Sequence, residues 1–202
     1  MRGKFCLVRV VSGTAGGMKL KTIDSDSTKP TLDRVKEAMF SMIYRWFPCE
    51  SVLDVFSGNG SLGIEALSRG AGHAVLNDKS KNCCSVIKDN VSHTGFESRA
   101  DVYNKDFSEL ISLMKRDGKY FDLVLLDPPY NKGFIGDTLL LLDKADICGI
   151  PDDDGNRGGC VVVAEHSAGE DIKDCYGRFE RSKCKKYGTV FVSVFEYNQD
   201  KE

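Results

Sequence analysis

"SVLDVFSGNGSLGIEALSRG", residues 51–70, contains the fold in miniature. An apolar run suited to a strand leads into a turn carrying Gly58, Gly60 and Gly63, and then into residues suited to a helix. Glycines there let the backbone bend sharply and approach a ligand ahead of a helix N-terminus. The GxGxxG spacing alone is a weak signal, because many glycine-rich turns bind nothing and dinucleotide sites share it.

Outward from this stretch the strand, turn, helix pattern recurs. "HAVLN" (73–77) precedes "KSKNCCSVIKDNVSHT" (79–94), "DVYN" (101–104) precedes "FSELISLMKRDG" (107–118), and "FDLVLL" (121–126) precedes "GDTLLLLDKAD" (136–146). Such alternation predicts βαβ units, hence an α/β fold with a mostly parallel, doubly wound sheet. A polar loop, "CGIPDDDGNRGG" (148–159), leads to a buried strand, "CVVVAEH" (160–166). "CKKYG" (184–188) and "TVFVSVFEY" (189–197) then predict an antiparallel hairpin turning at Gly188.

Ahead of the alternating region, "FCLVRVV" (5–11) and "MKLKTI" (18–23) flank "SGTAGG" and predict a further hairpin. Residues 32–46 put Val35, Ala38, Met39, Met42, Ile43 and Trp46 on one helical face, and Pro48 stops that helix. The expected organisation is an N-terminal extension, 1–48, joined to a domain spanning 49–202.

The front of the chain is basic. Residues 1–45 carry nine lysines and arginines against four acids, a net +5, so the remainder is −7 in a chain of net charge −2. A polyanion-facing front end would produce this split, and so would a merely solvated basic surface. Apolar residues at 41% and charged residues at 29% mark an ordinary globular composition. No apolar stretch approaches the ~20 residues of a membrane-spanning helix, and the expected setting is the cytoplasm. Eight cysteines lack any CxxC pair, which points to reduced thiols and no metal site.

Ligands of open α/β sheets bind at the carboxyl ends of the strands, and acids stand at each such end. Asp54 ends the first strand, where its carboxylate can receive an ammonium group or cap the turn. Asp78, about 20 residues past the glycine turn, is placed to hold ribose hydroxyls. Asp106 can accept from an adenine amine or cap the next helix. After the fourth strand comes "DPPY": Asp127 and the Pro128 carbonyl offer acceptors for an NH₂ group, Pro128 and Pro129 stiffen the loop, and Tyr130 offers a ring for stacking. His166, His73, His93, Cys83 and Cys84 are expected to be structural or superficial.

Taken together, "DVFSGNGSLGIEALSRGA" and "LVLLDPPY" resemble motifs of S-adenosylmethionine-dependent methyltransferases acting on amino nitrogens. "SGTAGGMKLKT", "KPTLDRVKEAMF", "EALSRGA" and "VVVAEH" further resemble the bacterial 16S rRNA methyltransferases that modify the 2-amino group of guanine. The resemblance implies a Rossmann-like methyltransferase fold and S-adenosyl-L-methionine as cofactor. It places Asp54, Ser57, Gly58, Gly60, Gly63, Asp78 and Asp106 around that cofactor, and Asp127, Pro128, Pro129 and Tyr130 around the target guanine. It also implies small-subunit rRNA, naked or within a particle, as partner of the N-terminal extension, with Thr31, Arg34, Lys19 and Lys21 on the substrate side.

Three features depart from that pattern: Lys29 where an arginine is common, Asn59 for a usual serine, and a long acidic loop at 152–156. The same pocket would also serve methylation of adenine in DNA or RNA, or of a protein glutamine. A non-catalytic RNA-binding assembly factor would keep the fold without needing acids at the strand ends.

Overall fold

The structure is a computed structural model that describes residues 8–22 and 33–199. Eight strands form one sheet in the order β3-β2-β1-β4-β5-β8-β7-β6. The parallel strands are β1 (Ser51–Asp54), β2 (His73–Asn77), β3 (Ala100–Tyr103), β4 (Leu123–Leu126) and β5 (Val161–Ser167). Antiparallel to them run β6 (Cys175–Tyr176), β7 (Phe179–Tyr187) and β8 (Val190–Tyr197), with β8 paired along the whole of β5. The parallel strands and the closing hairpin are those the sequence predicts, but β7 begins at Phe179, five residues ahead of the expected run at 184, and the two-residue β6 is too short to leave a pattern.

Helices α2 (Ser61–Ser68) and α3 (Lys81–Thr94) follow β1 and β2, and α4 (Phe107–Arg116) and α5 (Phe134–Ala145) follow β3 and β4. One apolar layer joins α2 and α3 to one sheet face through Leu67, Ile87, Val52 and Val163. A second joins α4 and α5 to the other face through Leu110, Leu139, Val124 and Phe195. Inner strand β4 is buried at every position, which explains its uninterrupted apolar run.

The front of the chain shares the first layer: Val8, Val10, Leu20 and, from α1 (Asp33–Met42), Met39 and Phe40 pack with Leu67 and Val163. Residues 8–20 fold back on themselves through an Arg9–Lys19 bridge. The ends of the expected hairpin, 5–7 and 23, lie outside the described residues. Helix α1 stops at Met42, earlier than expected, and a 3-10 turn, Tyr44–Trp46, carries the chain to Pro48; a residue before proline disfavours the α conformation.

What ties this front segment down is a buried carboxylate. Glu65 on α2 is fully buried and accepts from the backbone N–H of Val11 at 2.7 Å and of Ser12 at 3.0 Å. Arg69 donates to it at 2.8 Å, and the buried Lys36 ammonium lies 3.4 Å away while also donating to the Arg9 carbonyl. Desolvation holds the Lys36 ammonium below the usual lysine range, with Glu65 opposing the shift.

Candidate active site

Strand order reverses between β1 and β4, and at such a switch point the loops leaving the two strands splay to opposite sides and open a crevice. A cleft of about 400 Å³ lies there, lined among others by Ser57, Gly58, Asp78, Asp106, Asp127 and Tyr130. The loops after the first four parallel strands thus meet in one site.

The glycine turn is built for it. Gly58 at φ +56° and Gly60 at φ +83° take left-handed backbone conformations, where side chains are strained. Gly63 is needed for a different reason: a Cβ there would lie 2.8 Å from Leu76 Cδ2 and 3.2 Å from Asp54 Oδ2. The Gly63 N–H donates to that Asp54 oxygen at 2.9 Å, and the Ser57 hydroxyl donates to the Asp54 carbonyl at 2.9 Å.

Asp54 is fully buried beneath the turn, and neither it nor Gly60 nor Gly63 forms the cleft wall, which Ser57, Gly58, Asn59, Ser61 and Leu62 supply. Hydrogen bonding to the Gly63 N–H turns one Asp54 oxygen, Oδ2, inward beneath the turn. Burial pushes its carboxyl up to about 7, against the pull of the Gly63 N–H. Asp54 Oδ1 has no hydrogen-bond partner among the described residues, the kind of buried orphan that a ligand's cation satisfies.

Asp78 stands on the cleft wall with both oxygens engaged, Oδ2 accepting from the Gly58 N–H at 3.0 Å and Oδ1 from the Ser80 N–H at 2.8 Å. It therefore shapes the glycine turn as well as facing the cleft. Asp106 caps α4, accepting from the Ser108 N–H at 3.0 Å and the Ser108 hydroxyl at 2.8 Å. It also lines the cleft.

All of Asp127, Pro128, Pro129 and Tyr130 line the cleft. The Tyr130 hydroxyl donates to Glu165 Oε1 at 2.5 Å, and Glu165, at the end of β5, is buried. Burial and then this hydrogen bond push the phenol far above its usual range, so it stays protonated. Asn131 follows at φ +58°, held by the Ser167 hydroxyl at 2.9 Å.

Several contributors were not legible in the sequence. Phe56, Phe107 and Phe134 form an aromatic trio beside the acids, with centroids 5.5 to 6.0 Å apart. Buried Asn77 donates to the Val55 and Lys105 carbonyls at 3.1 Å each, joining three strand ends. The spacing of Glu165 from Tyr130, 35 residues, carries no local signal. His166 is structural as expected: buried, 2.9 Å from the Ser193 hydroxyl and stacked on Phe191.

The expected substrate-side residues are less unified. Thr31 lies outside the described residues. Lys19, Lys21 and Arg34 are exposed and none lines the cleft. Lys21 pairs with Asp89 at 2.8 Å, while its backbone bonds Asn90, which also holds Asn59 of the glycine turn. Its neighbour Thr22 does line the cleft.

The family model described as Conserved hypothetical protein 95 matches residues 8–196. YlbH of Bacillus subtilis, an rRNA methyltransferase by name, is 32% identical over 189 residues, covering 94% of this chain and 98% of that protein. Ribosomal RNA small subunit methyltransferase D of Haemophilus influenzae is 33% identical over 136 residues, 67% of this chain and 70% of the relative. Among solved structures, a conserved hypothetical protein of Streptococcus pyogenes superimposes with a TM-score of 0.72 at 31% identity, over 83% of this chain and 98% of that one. An RNA methyltransferase from Salinibacter ruber in complex with S-adenosyl-L-homocysteine shares the fold, with a TM-score of 0.61 at 15% identity, over 86% of this chain and 97% of that one.

Proposed function

The chain belongs to the Conserved hypothetical protein 95 family, and from that premise we propose that it methylates the exocyclic 2-amino group of a guanine in small-subunit ribosomal RNA. One observation carries the reading: the glycine turn after β1 and the DPPY loop after β4 line a single cleft at the switch point. Relatives named as small-subunit rRNA methyltransferases set the substrate class.

The residues present fit S-adenosylmethionine. Asp78 on the cleft wall suits ribose hydroxyls, Phe107 and Phe134 beside Asp106 offer an apolar wall for a base, and orphaned Asp54 Oδ1 suits the ammonium end. Bound there, the cofactor supplies an electrophilic methyl on a sulfonium. A guanine amine is a poor nucleophile because its lone pair is delocalised into the ring. Asp127 and the Pro128 carbonyl would accept its two hydrogens and favour a nitrogen lone pair aimed across the cleft, while Tyr130 stacks on the base. The amine that gains the methyl would release its surplus proton to water, so no dedicated base among the chain's residues is required.

The setting we propose is the cytoplasm, with rRNA presented either naked or in an assembling particle. Labelled methyl incorporation into rRNA, DNA and protein, measured side by side, tests the reading. Label in rRNA guanine supports it; label in DNA or protein alone overturns it.

A further inference from the structure

Four of the six described cations in the basic front are engaged by the protein's own acids. Arg9 pairs with Asp33, Lys21 with Asp89, Arg45 with Glu196, and Lys36 is buried against Glu65. A phosphate backbone needs cations not already neutralised by the protein's own acids, which directs attention elsewhere.

Strand β7 supplies them. Its short neighbour β6 pairs only with Phe179 and Glu180, and a single further bond, from the Arg181 N–H to the Asp174 carbonyl, extends the contact. From Ser182 to Tyr187 no strand among the described residues pairs with β7 on the side away from β8. This open edge, Ser182 to Lys186, is exposed throughout and carries Lys183, Lys185 and Lys186. The Lys183 ammonium donates to the Met42 carbonyl at 3.1 Å, and neither Lys185 nor Lys186 pairs with an acid among the described residues.

Register places the edge at the active end of the sheet. Lys185 stands opposite Val192 and Lys186 opposite Phe191, and Val192 and Phe191 stand opposite Glu165 and His166 on β5. The Lys186 ammonium lies 5.8 Å from the Phe191 ring, Phe191 stacks on His166, and adjacent Glu165 holds the Tyr130 hydroxyl. A cationic edge therefore lies level with the end of β5 that holds Tyr130, two strands away from it.

We infer that the open edge of β7, through Lys185 and Lys186, grips the phosphate backbone of the substrate RNA and delivers the target nucleotide to Tyr130. The inference rests on the rRNA reading above. A competing use for edge lysines is to block edge-to-edge pairing between sheets, and that role is served by charge of either sign. Phosphate binding needs positive charge, so charge reversal separates the two.

The test is the double variant Lys185→Glu/Lys186→Glu, assayed with in vitro transcribed small-subunit rRNA over a salt series. The expected result is unchanged S-adenosylmethionine binding, which shows an intact fold, with RNA affinity lowered at least tenfold near 0.1 M salt. The slope of log affinity against log salt should shrink by about 2, roughly one unit per lost phosphate contact, and KM for RNA should rise more than kcat falls. A variant that binds and methylates the rRNA as the wild type does overturns the edge proposal and leaves the function standing. A wild-type protein that puts no label into rRNA overturns both.

Discussion

Tyr130 on the loop after β4 and Glu165 at the end of β5 are joined by a 2.5 Å hydrogen bond across 35 residues of sequence. The bond holds the hydroxyl end of the ring proposed to stack on the target base, and it gives the buried carboxylate a donor. Tyr130→Phe keeps the ring and loses the donor, so we expect a stability loss of about 1–3 kcal/mol with only a few-fold loss of kcat/KM. Tyr130→Ala also removes the stacking surface, worth about 1–3 kcal/mol per base, and should lower kcat/KM by a further factor of roughly 5–150. Urea unfolding and steady-state kinetics on the two variants check both statements.

Asp127 is expected to act in turnover and not in cofactor binding. Asp127→Ala should bind S-adenosylmethionine within about twofold of wild type by calorimetry while losing about 10²-fold or more in kcat, the scale of removing one preorganised polar contact. Asp127→Asn, which keeps one acceptor oxygen, should fall between. Wild-type turnover in the alanine variant would place the chemistry elsewhere.

Asp54 gives a pH prediction. Its folded carboxyl titrates at about 7, raised by desolvation from an ordinary value of 3.8. Between these values the folded state binds more protons than the unfolded, so its contribution to stability is full below about pH 4 and declines as pH rises through 7. The decline is on the order of 4 kcal/mol at most. Asp54→Asn removes it, so the stability difference between variant and wild type should grow in the variant's favour from pH 4 to pH 8 in urea titrations. Cofactor affinity in the variant should drop at least tenfold, because the orphan oxygen no longer carries charge toward an ammonium.

Glu65 organises the front of the chain, and removing one partner of a buried pair leaves the other uncompensated. Glu65→Ala should cost about 3–5 kcal/mol and speed amide exchange at Val11 and Ser12, whose N–H groups it accepts from. Exchange at Leu125 on the central strand, measured in the same experiment, should change only by the global loss.

The glycine turn, the strand ends and the DPPY loop were legible because each is a local device: period-2 and period-3.6 patterns, left-handed backbone at Gly58 and Gly60, and two prolines in succession. The family's motifs stand in the same stretches. Less legible was the direction of a side chain once placed. Asp54 ends its strand where the pattern puts it, but packing decides that Oδ2 accepts from Gly63 while Oδ1 is left without a partner among the described residues. The +5 front end read as an open basic face, but four of its cations are engaged by acids at Asp33, Glu65, Asp89 and Glu196.

By itself, then, the sequence determined the order and kind of the elements and which loops carry acids, since backbone preference and hydrophobic period act within a few residues. Tertiary packing is what makes Tyr130 answer to Glu165, hangs Ser12 on Glu65, and sets an open lysine edge in register with Glu165 and His166, two strands away. Those pairings join residues 35 and 53 positions apart or follow from strand order. Contacts at that range form by chain folding and burial, and no local spacing encodes them.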